Sequence, residues 1–213
     1  MRKEIITKRQ KELLSIIYDY IKNSGYPPSF EEMKNELDVA SNPSIIDLLT
    51  KLVKQRFIER TESSARSMKI LPLGYEILNK PPLAPFLGTT SAGPMTEAIE
   101  IPGEWQTISK DVSKLKGDIF ILKISGDSMK NADINDGDVV LVRAQKEFYS
   151  GDIVLAELEN GSTIKRFISD DKPPFVYLKP ENPKYDVILF EDGMRLVGKV
   201  ISVFKNGQWK SVK

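Results

Sequence analysis

The first seventy residues place apolar side chains at the spacing of amphipathic helices and then change to short extended segments. Ser29, followed three positions later by Glu32, has the sequence of a capping box, which starts a short helix between two longer helical patterns. The predicted elements are helices over 7–23, 29–37 and 42–55 and extended segments over 57–61 and 67–71. Three helices and a two-stranded wing at this spacing predict a winged helix-turn-helix.

From about residue 95 the pattern changes to the two-residue period that is typical of strands. Asn160-Gly161 and Asn206-Gly207 each separate alternating apolar runs, and Asn-Gly is the strongest short-range signal for a hairpin turn. Many short strands with hairpin turns and little helical pattern predict a compact all-β domain.

Between these two patterns the chain is interrupted by Pro72, Pro81, Pro82 and Pro85. Proline disfavours regular structure because its ring lacks an N–H, so we expect a linker whose distal end becomes extended. The length of 213 residues accommodates two domains. The predicted organisation is an α-helical, winged helix-turn-helix domain over 1–71, a linker over 72–84 and an all-β domain over 85–213.

Composition narrows the possible chemistry. The chain has no cysteine and no histidine, which excludes disulfides and thiolate catalysis and leaves no usual ligands for a transition metal. The net charge is +1, and the first seventy residues carry only a mild basic excess, which is weak support for DNA contact. No apolar run reaches the roughly 18–20 residues that span a bilayer, and the N-terminus is not a signal sequence. We therefore predict a cytoplasmic protein that needs no metal or cofactor.

Ser128 is a candidate nucleophile. It follows Gly126 at the end of the predicted strand over 120–124, where a loop can present a hydroxyl beside backbone N–H groups. Gly-Asp-Ser is also a common turn composition, so the tripeptide alone favours an ordinary turn.

Lys165 is the candidate base, since no histidine is present. An exposed lysine has a pKa near ~10.4 and is protonated, whereas burial lowers that pKa by several units. Strand alternation puts Thr163, Lys165 and Phe167 on one face and Arg166 on the other. The pattern does not decide whether Lys165 or Arg166 points inward, and a lysine on an edge strand is often a surface residue. A Ser-Lys pair is a known variant of the serine protease triad.

Ala92-Gly93 lies in a segment of small residues, which a narrow cleft can accommodate. By itself the dipeptide is equally compatible with a flexible turn.

In the helix-turn-helix, DNA contact is expected early in the third helix and in the wing, while Ile46 and Leu48 are expected in the core or in a dimer contact. The candidate DNA-binding residues are Ser41, Asn42, Ser44, Ile45, Asp47, Lys51 and Arg66.

Taken together, these pieces have the order and spacing of the LexA repressor family, which the chain resembles along nearly its whole length. The similar stretches include Gly25-Tyr26-Pro27-Pro28-Ser29 in the first half, and Ala92-Gly93, Gly126-Asp127-Ser128-Met129, Gly151-Asp152-Ile153-Val154, Thr163-Ile164-Lys165-Arg166 and Pro180-Glu181-Asn182 in the second.

The resemblance implies that Ser128 is the nucleophile, Lys165 the base, and the Asp127 and Ser128 N–H groups the oxyanion hole. It implies autocatalytic cleavage between Ala92 and Gly93, promoted by the RecA filament on single-stranded DNA. It also implies a homodimer that represses DNA-damage genes by binding double-stranded operator DNA. The fold class is then a winged helix-turn-helix domain followed by an all-β Ser-Lys peptidase domain that also supplies the dimer contact.

Three rivals share parts of this pattern. A phage-type repressor with the same protease differs only in the genes that it controls. A polymerase-accessory protein resembles the second half but lacks a DNA-binding domain, and a signal peptidase needs a membrane anchor.

The chain departs from the family at Ile46 and Leu48, where His or Glu is usual, which predicts a different operator. Pro94 directly follows Gly93, so we expect the cleavage loop to seat differently or to cut more slowly.

Overall fold

A computed structural model describes residues 6–60, 68–91, 105–108 and 118–212. The chain forms two compact units, Met1–Leu83 with Gly103–Leu115, and Ala84–Pro102 with Lys116–Lys213. The first unit is helical with a small wing and the second is built of strands, which confirms the predicted fold class.

The first unit begins with three helices: α1 (Lys8–Ser24), α2 (Phe30–Leu37) and α3 (Asn42–Lys54). The capping box predicted at Ser29 and Glu32 is present, because the Ser29 hydroxyl accepts from the Glu32 N–H and the Glu32 carboxylate accepts from the Ser29 N–H. Strands β1 (Ile58–Arg60) and β2 (Met68–Ile70) pair antiparallel and form the wing. The helices bury a shared core, whose innermost members include Leu13, Ile17, Met33, Leu49 and Leu52.

The expected linker contains a fourth helix, α4 (Pro72–Leu78), which differs from the irregular structure that its prolines predict. Pro72 lies in the first helical turn, where the missing N–H has no intrahelical partner to lose. Tyr75 is buried and packs edge-to-face on Tyr18 of α1, with 6.1 Å between the ring centres. A side chain on Gly74 would begin 2.4 Å from the Phe57 carbonyl oxygen, so the close approach of α4 requires glycine there.

Strand β4 (Trp105–Thr107) belongs to the first unit. In the second unit the strands are β3 (Leu83–Ser91), β5 (Ile119–Ser125), β6 (Val139–Ala144), β7 (Ile153–Leu158), β8 (Gly161–Ser169), β9 (Val176–Lys179), β10 (Ile188–Leu189), β11 (Arg195–Lys205) and β12 (Gln208–Ser211). The spatial order is β10-β9-β8-β7-β11-β6-β5-β3, with β12 paired to β11. Asn206 and Gly207 both have positive φ, 52° and 78°, as a type I′ turn requires, which confirms the predicted hairpin between β11 and β12.

Strand β3 closes this sheet on itself. It runs parallel to β5 along Phe86–Ser91 and also pairs with β8 through Ser91 and Thr163. The same residue, Ser91, lies opposite Ser125 at the end of β5. The closure therefore brings two segments beside the end of β3. One is the end of β5, which the candidate Ser128 follows by three residues, and the other is the middle of β8, which carries Lys165.

Candidate active site

Ser128 lies on a short loop that follows β5. Gly126 turns the chain with a φ of 101°, a value that favours glycine, and its N–H donates to the Asp136 carboxylate at 2.7 Å. Met129, next to Ser128, is fully buried in the apolar core of the unit and fixes the loop to that core. The Ser128 side chain is itself inaccessible, at 0% exposure, so it is held inside the protein and is not an ordinary turn serine.

Strand alternation left open whether Lys165 or Arg166 points inward, and in the structure it is Lys165. Its side chain is 3% exposed, in the middle of β8 and opposite Val154 of β7. Arg166 instead points toward the loops, where it pairs with the Glu181 carboxylate at 2.5 Å and donates to the Gly151 carbonyl at 2.6 Å. Arg166 keeps ionic and carbonyl partners toward the loops, while Lys165 is almost completely buried.

The ammonium nitrogen of Lys165 has three oxygen neighbours. They are Ser128 Oγ at 2.8 Å, Thr163 Oγ1 at 2.8 Å and the Ile164 carbonyl oxygen at 3.0 Å. A charged lysine has three N–H donors, one for each oxygen. A neutral amine has two N–H groups and a lone pair. It can donate to Ile164 and Thr163 and accept from the Ser128 hydroxyl with the same atoms in the same places. The arrangement thus accommodates both protonation states of the lysine.

Burial lowers the pKa of Lys165 from 10.5 to about 8, because the charged form loses its solvation. None of its hydrogen-bond partners in the described part of the chain is a carboxylate that would restore the charged form. At pH 7 a pKa of about 8 leaves roughly one lysine in ten neutral, against roughly one in three thousand at 10.5. Desolvation therefore provides a usable base without histidine.

Asp127, which precedes the serine, is tied to the loop between β9 and β10. The Tyr185 hydroxyl donates to its carboxylate at 2.5 Å, and this bond is the main reason that the pKa of Asp127 is lowered. The Asn182 amide donates both to the Asp127 carbonyl oxygen, at 3.0 Å, and to its carboxylate, at 3.1 Å. The sequence marks Pro180-Glu181-Asn182 only as a stretch similar to the LexA repressor family, and no local pattern predicts Asn182 or Tyr185 at the site.

The candidate cleavage residues, Ala92 and Gly93, lie outside the described residues. Strand β3 leads to them and ends at Ser91, whose backbone pairs with Thr163 of β8 and with Ser125 of β5.

On α3 the candidate DNA-binding residues divide into two groups. Most of them are exposed, from the N-cap Ser41 to the last turn of the helix at Lys51: Ser41, Asn42, Ser44, Asp47 and Lys51. Asp47 and Lys51 form an ion pair at 2.6 Å, and the hydroxyls of Ser41 and Ser44 lie 3.0 Å apart. Arg66 lies outside the described residues.

Ile45 was expected to face DNA, and this was wrong: its side chain is 0% exposed and packs in the core with Leu49 and Leu52. These residues are spaced i, i+4 and i+7 and form one apolar stripe. Ile46, expected in the core or a dimer contact, is 46% exposed because it lies about 100° around the helix from Ile45. The exposed isoleucine of α3 is therefore Ile46.

Comparison with known proteins identifies both units. The LexA DNA binding domain family matches residues 3–67, and the Peptidase S24-like family matches residues 85–201. The LexA repressor of Ligilactobacillus salivarius is 34% identical over 203 residues, which cover 93% of this chain and 97% of the relative. The LexA repressor of Enterococcus faecalis is 34% identical over 200 residues, covering 93% and 94%.

The arrangement therefore defines a DNA-binding regulator joined to a serine peptidase of the self-cleaving kind. The chain belongs to the LexA repressor family. In the described part of the chain, no helix is both long and apolar enough to cross a membrane.

Proposed function

We propose that this protein represses DNA-damage genes as an operator-bound homodimer and is inactivated by cutting its own chain between Ala92 and Gly93. The observation that carries the proposal is the 2.8 Å contact between Lys165 Nζ and Ser128 Oγ inside a buried site. A buried serine and lysine in contact provide a nucleophile and a base, while the family membership supports the repressor role.

The reaction begins when neutral Lys165 takes the Ser128 hydroxyl proton as Oγ bonds to the Ala92 carbonyl carbon. The carbonyl oxygen becomes an oxyanion, which the N–H groups of Asp127 and Ser128 stabilise. Lys165 then gives its proton to the Gly93 nitrogen, the C–N bond breaks, and an ester joins Ala92 to Ser128. Water attacks this ester, Lys165 takes the water proton, and the released Ser128 oxygen recovers it.

The register of β3 supports Ala92 as the residue that is attacked. Ser91 pairs with Thr163, two positions before Lys165, and with Ser125, three positions before Ser128. Consecutive Cα atoms are only ~3.8 Å apart, so the residue after Ser91 starts within reach of both elements. A loop that docks there also excludes water from Lys165 and keeps its pKa low.

The RecA filament on single-stranded DNA would act by stabilising the docked state of the cleavage loop. A partner shifts a two-state equilibrium only by the difference of its affinities for the two states. The filament is therefore expected to bind the docked form more tightly, without adding groups to the reaction.

The exposed face of α3 would enter the major groove, as the second helix of a helix-turn-helix does. The residues proposed to contact DNA are Ser41, Asn42, Ser44, Asp47, Lys51 and Arg66, with Ile46 added on the ground of its exposure. Two linked DNA-binding domains gain roughly 10²–10⁴ in avidity over one. Cutting after Ala92 separates the domains from the dimerising half, so operator release needs no change in any base contact.

The test is incubation of the wild-type chain from pH 7 to pH 10, followed by intact mass measurement. We expect two fragments, 1–92 and 93–213, with a rate that rises with pH as Lys165 loses its proton. Ser128→Ala and Lys165→Ala should give no fragments but should bind operator DNA as the wild type does. Cleavage by either variant, or fragments of other masses, would refute the assignment.

A further inference from the structure

The loop between β9 and β10, residues 180–187, holds the peptide group on which the nucleophile is mounted. Two donors meet at the Asp127 carbonyl oxygen: the Asn182 side-chain amide at 3.0 Å and the Lys130 N–H at 3.2 Å. The first is contributed across 55 residues of sequence, so it joins two separate loops.

Asn182 is itself held in place. Its side chain is 1% exposed, and its Oδ1 accepts from the Lys184 N–H at 3.2 Å, which leaves Nδ2 directed at Asp127. The Asp127 carboxylate accepts from Asn182 Nδ2 at 3.1 Å and from the Tyr185 hydroxyl at 2.5 Å. Asn182 therefore holds both the carbonyl and the carboxylate of Asp127, and Tyr185 holds the carboxylate.

The consequence for Ser128 follows from the planarity of the peptide bond. In a trans peptide the carbonyl of one residue and the N–H of the next point in opposite directions within one rigid plane. Fixing the Asp127 carbonyl oxygen therefore fixes the direction of the Ser128 N–H. That N–H donates to no acceptor among the described residues, although Ser128 is fully buried. Buried backbone donors are usually paired, so an open one beside a nucleophile is available to a reacting group.

We propose that Asn182, supported by Tyr185, is a positioning residue that aims the Ser128 N–H at the oxyanion formed during self-cleavage. The inference rests on the proposed function, since it assigns a role within that reaction. Neither side chain touches the reacting atoms. Their contribution is to keep the donor in place before negative charge develops, which is where electrostatic stabilisation is effective.

Three substitutions separate the parts of this arrangement. Asn182→Ala removes the donor, and Asn182→Asp keeps the size but replaces the donating amide with an oxygen that cannot donate. Losing an oxyanion donor outright costs about 10²–10³ in rate, so loss of its support should slow cleavage about 10–100-fold. Tyr185→Phe leaves Asn182 in place and should slow cleavage only about 2–10-fold.

The assay is the self-cleavage rate of the full chain between pH 7 and pH 10, with thermal unfolding measured in parallel. The plateau rate should fall while the pH midpoint stays that of the wild type, because Lys165 keeps its partners. Ser202→Ala is the matched control for Asn182, since the Ser202 hydroxyl is also buried and donates to a backbone carbonyl, that of Lys210, at 2.7 Å. Tyr177→Phe is the control for Tyr185. Both controls should cleave at the wild-type rate.

A second measurement separates positioning of the N–H from general damage to the site. The chain has no cysteine, so Ser128→Cys introduces a single thiol. Alkylation of that thiol by iodoacetamide requires transient opening of the buried site but forms no oxyanion, so it reports the opening, the nucleophile and its base. In the Ser128→Cys background, Asn182→Ala should therefore leave the alkylation rate unchanged, within about twofold, because Asn182 bonds neither to the side chain of residue 128 nor to Lys165.

The outcomes are distinct. If Asn182→Ala and Asn182→Asp cleave within about twofold of the wild type, or if alkylation falls together with cleavage, the positioning role is refuted. If Asn182→Ala does not fold, Asn182→Asp and Tyr185→Phe decide the question. If the wild type does not cleave itself, or if Ser128→Ala does, the proposed function fails instead.

Discussion

Burial of Lys165 should make the stability of the peptidase unit depend on pH in a way that one substitution removes. Lysine is charged when protonated, and its pKa in the folded chain, about 8, lies below the 10.5 of an accessible lysine. Between these values the unfolded chain binds a proton that the folded chain does not. The free energy of unfolding therefore rises with pH across this window. Below about pH 8 burial of Lys165 costs stability in full, and by about pH 10.5 the cost has disappeared.

The difference between 10.5 and about 8 corresponds to about 3 kcal/mol. Lys165→Met has a similar length and no proton to lose, so its stability lacks this dependence. The packing of methionine changes the free energy of unfolding by the same amount at every pH, so it does not affect the slope of the difference between the two forms. The stability of Lys165→Met minus that of the lysine form should therefore fall by about 3 kcal/mol between pH 7 and pH 10.5.

The assay is urea unfolding at several pH values in a Ser128→Ala background, which prevents cleavage. The chain has two tryptophans, and Trp105→Phe leaves Trp209 of β12 as the reporter of the second unit. Replacement of the exposed Lys123 of β5 by methionine controls for the loss of one positive charge. Parallel stability curves for the Lys165 and Met forms, with a constant offset, would show that this lysine titrates normally and would refute desolvation as the source of the base.

Further predictions concern the base, the operator and the scissile bond. Thr163→Val removes one oxygen that stabilises the charged form of Lys165, so the midpoint of the pH-rate profile should move to lower pH; an unchanged or higher midpoint would contradict this. Ile46→Ala should weaken operator binding about tenfold, and replacing an operator thymine by uracil should weaken the wild type but not this variant, as expected for contact with the thymine methyl group. Equal losses in both proteins would exclude that contact. Gly93→Trp should block cutting without a change in thermal stability, and normal fragments would place the scissile bond elsewhere. A 1–92 fragment should bind a two-half-site operator far less tightly than the full chain at the same salt, and fusion to an unrelated dimerising domain should restore most of the difference.

The amino-acid sequence by itself determined the features that depend on neighbours in the chain. The capping box at Ser29 and Glu32 and the tight turn at Asn206-Gly207 are formed by residues within a few positions of each other. Strand alternation likewise placed Thr163 and Lys165 on one face, and in the structure the Lys165 nitrogen donates to the Thr163 hydroxyl. Such features depend on the geometry of residues close together in the chain, so a local sequence pattern is enough to predict them.

The tertiary structure decided which way each pattern faces. Alternation separates Lys165 from Arg166 but does not say which is inward, and only the closed sheet buries Lys165. Helical spacing in α3 permits either Ile45 or Ile46 in the core, and packing against α1 and α2 selects Ile45.

The same holds for contacts between distant parts of the chain. The prolines that predict a linker are compatible with α4, because Pro72 sits where a helix tolerates it and Tyr75 gains a partner in Tyr18. Asn182 bonds to Asp127 across 55 residues of sequence, a separation too large for a local sequence pattern to predict. Direction and long-range proximity arise from burial of whole faces, a property of the packed chain and not of any segment in it.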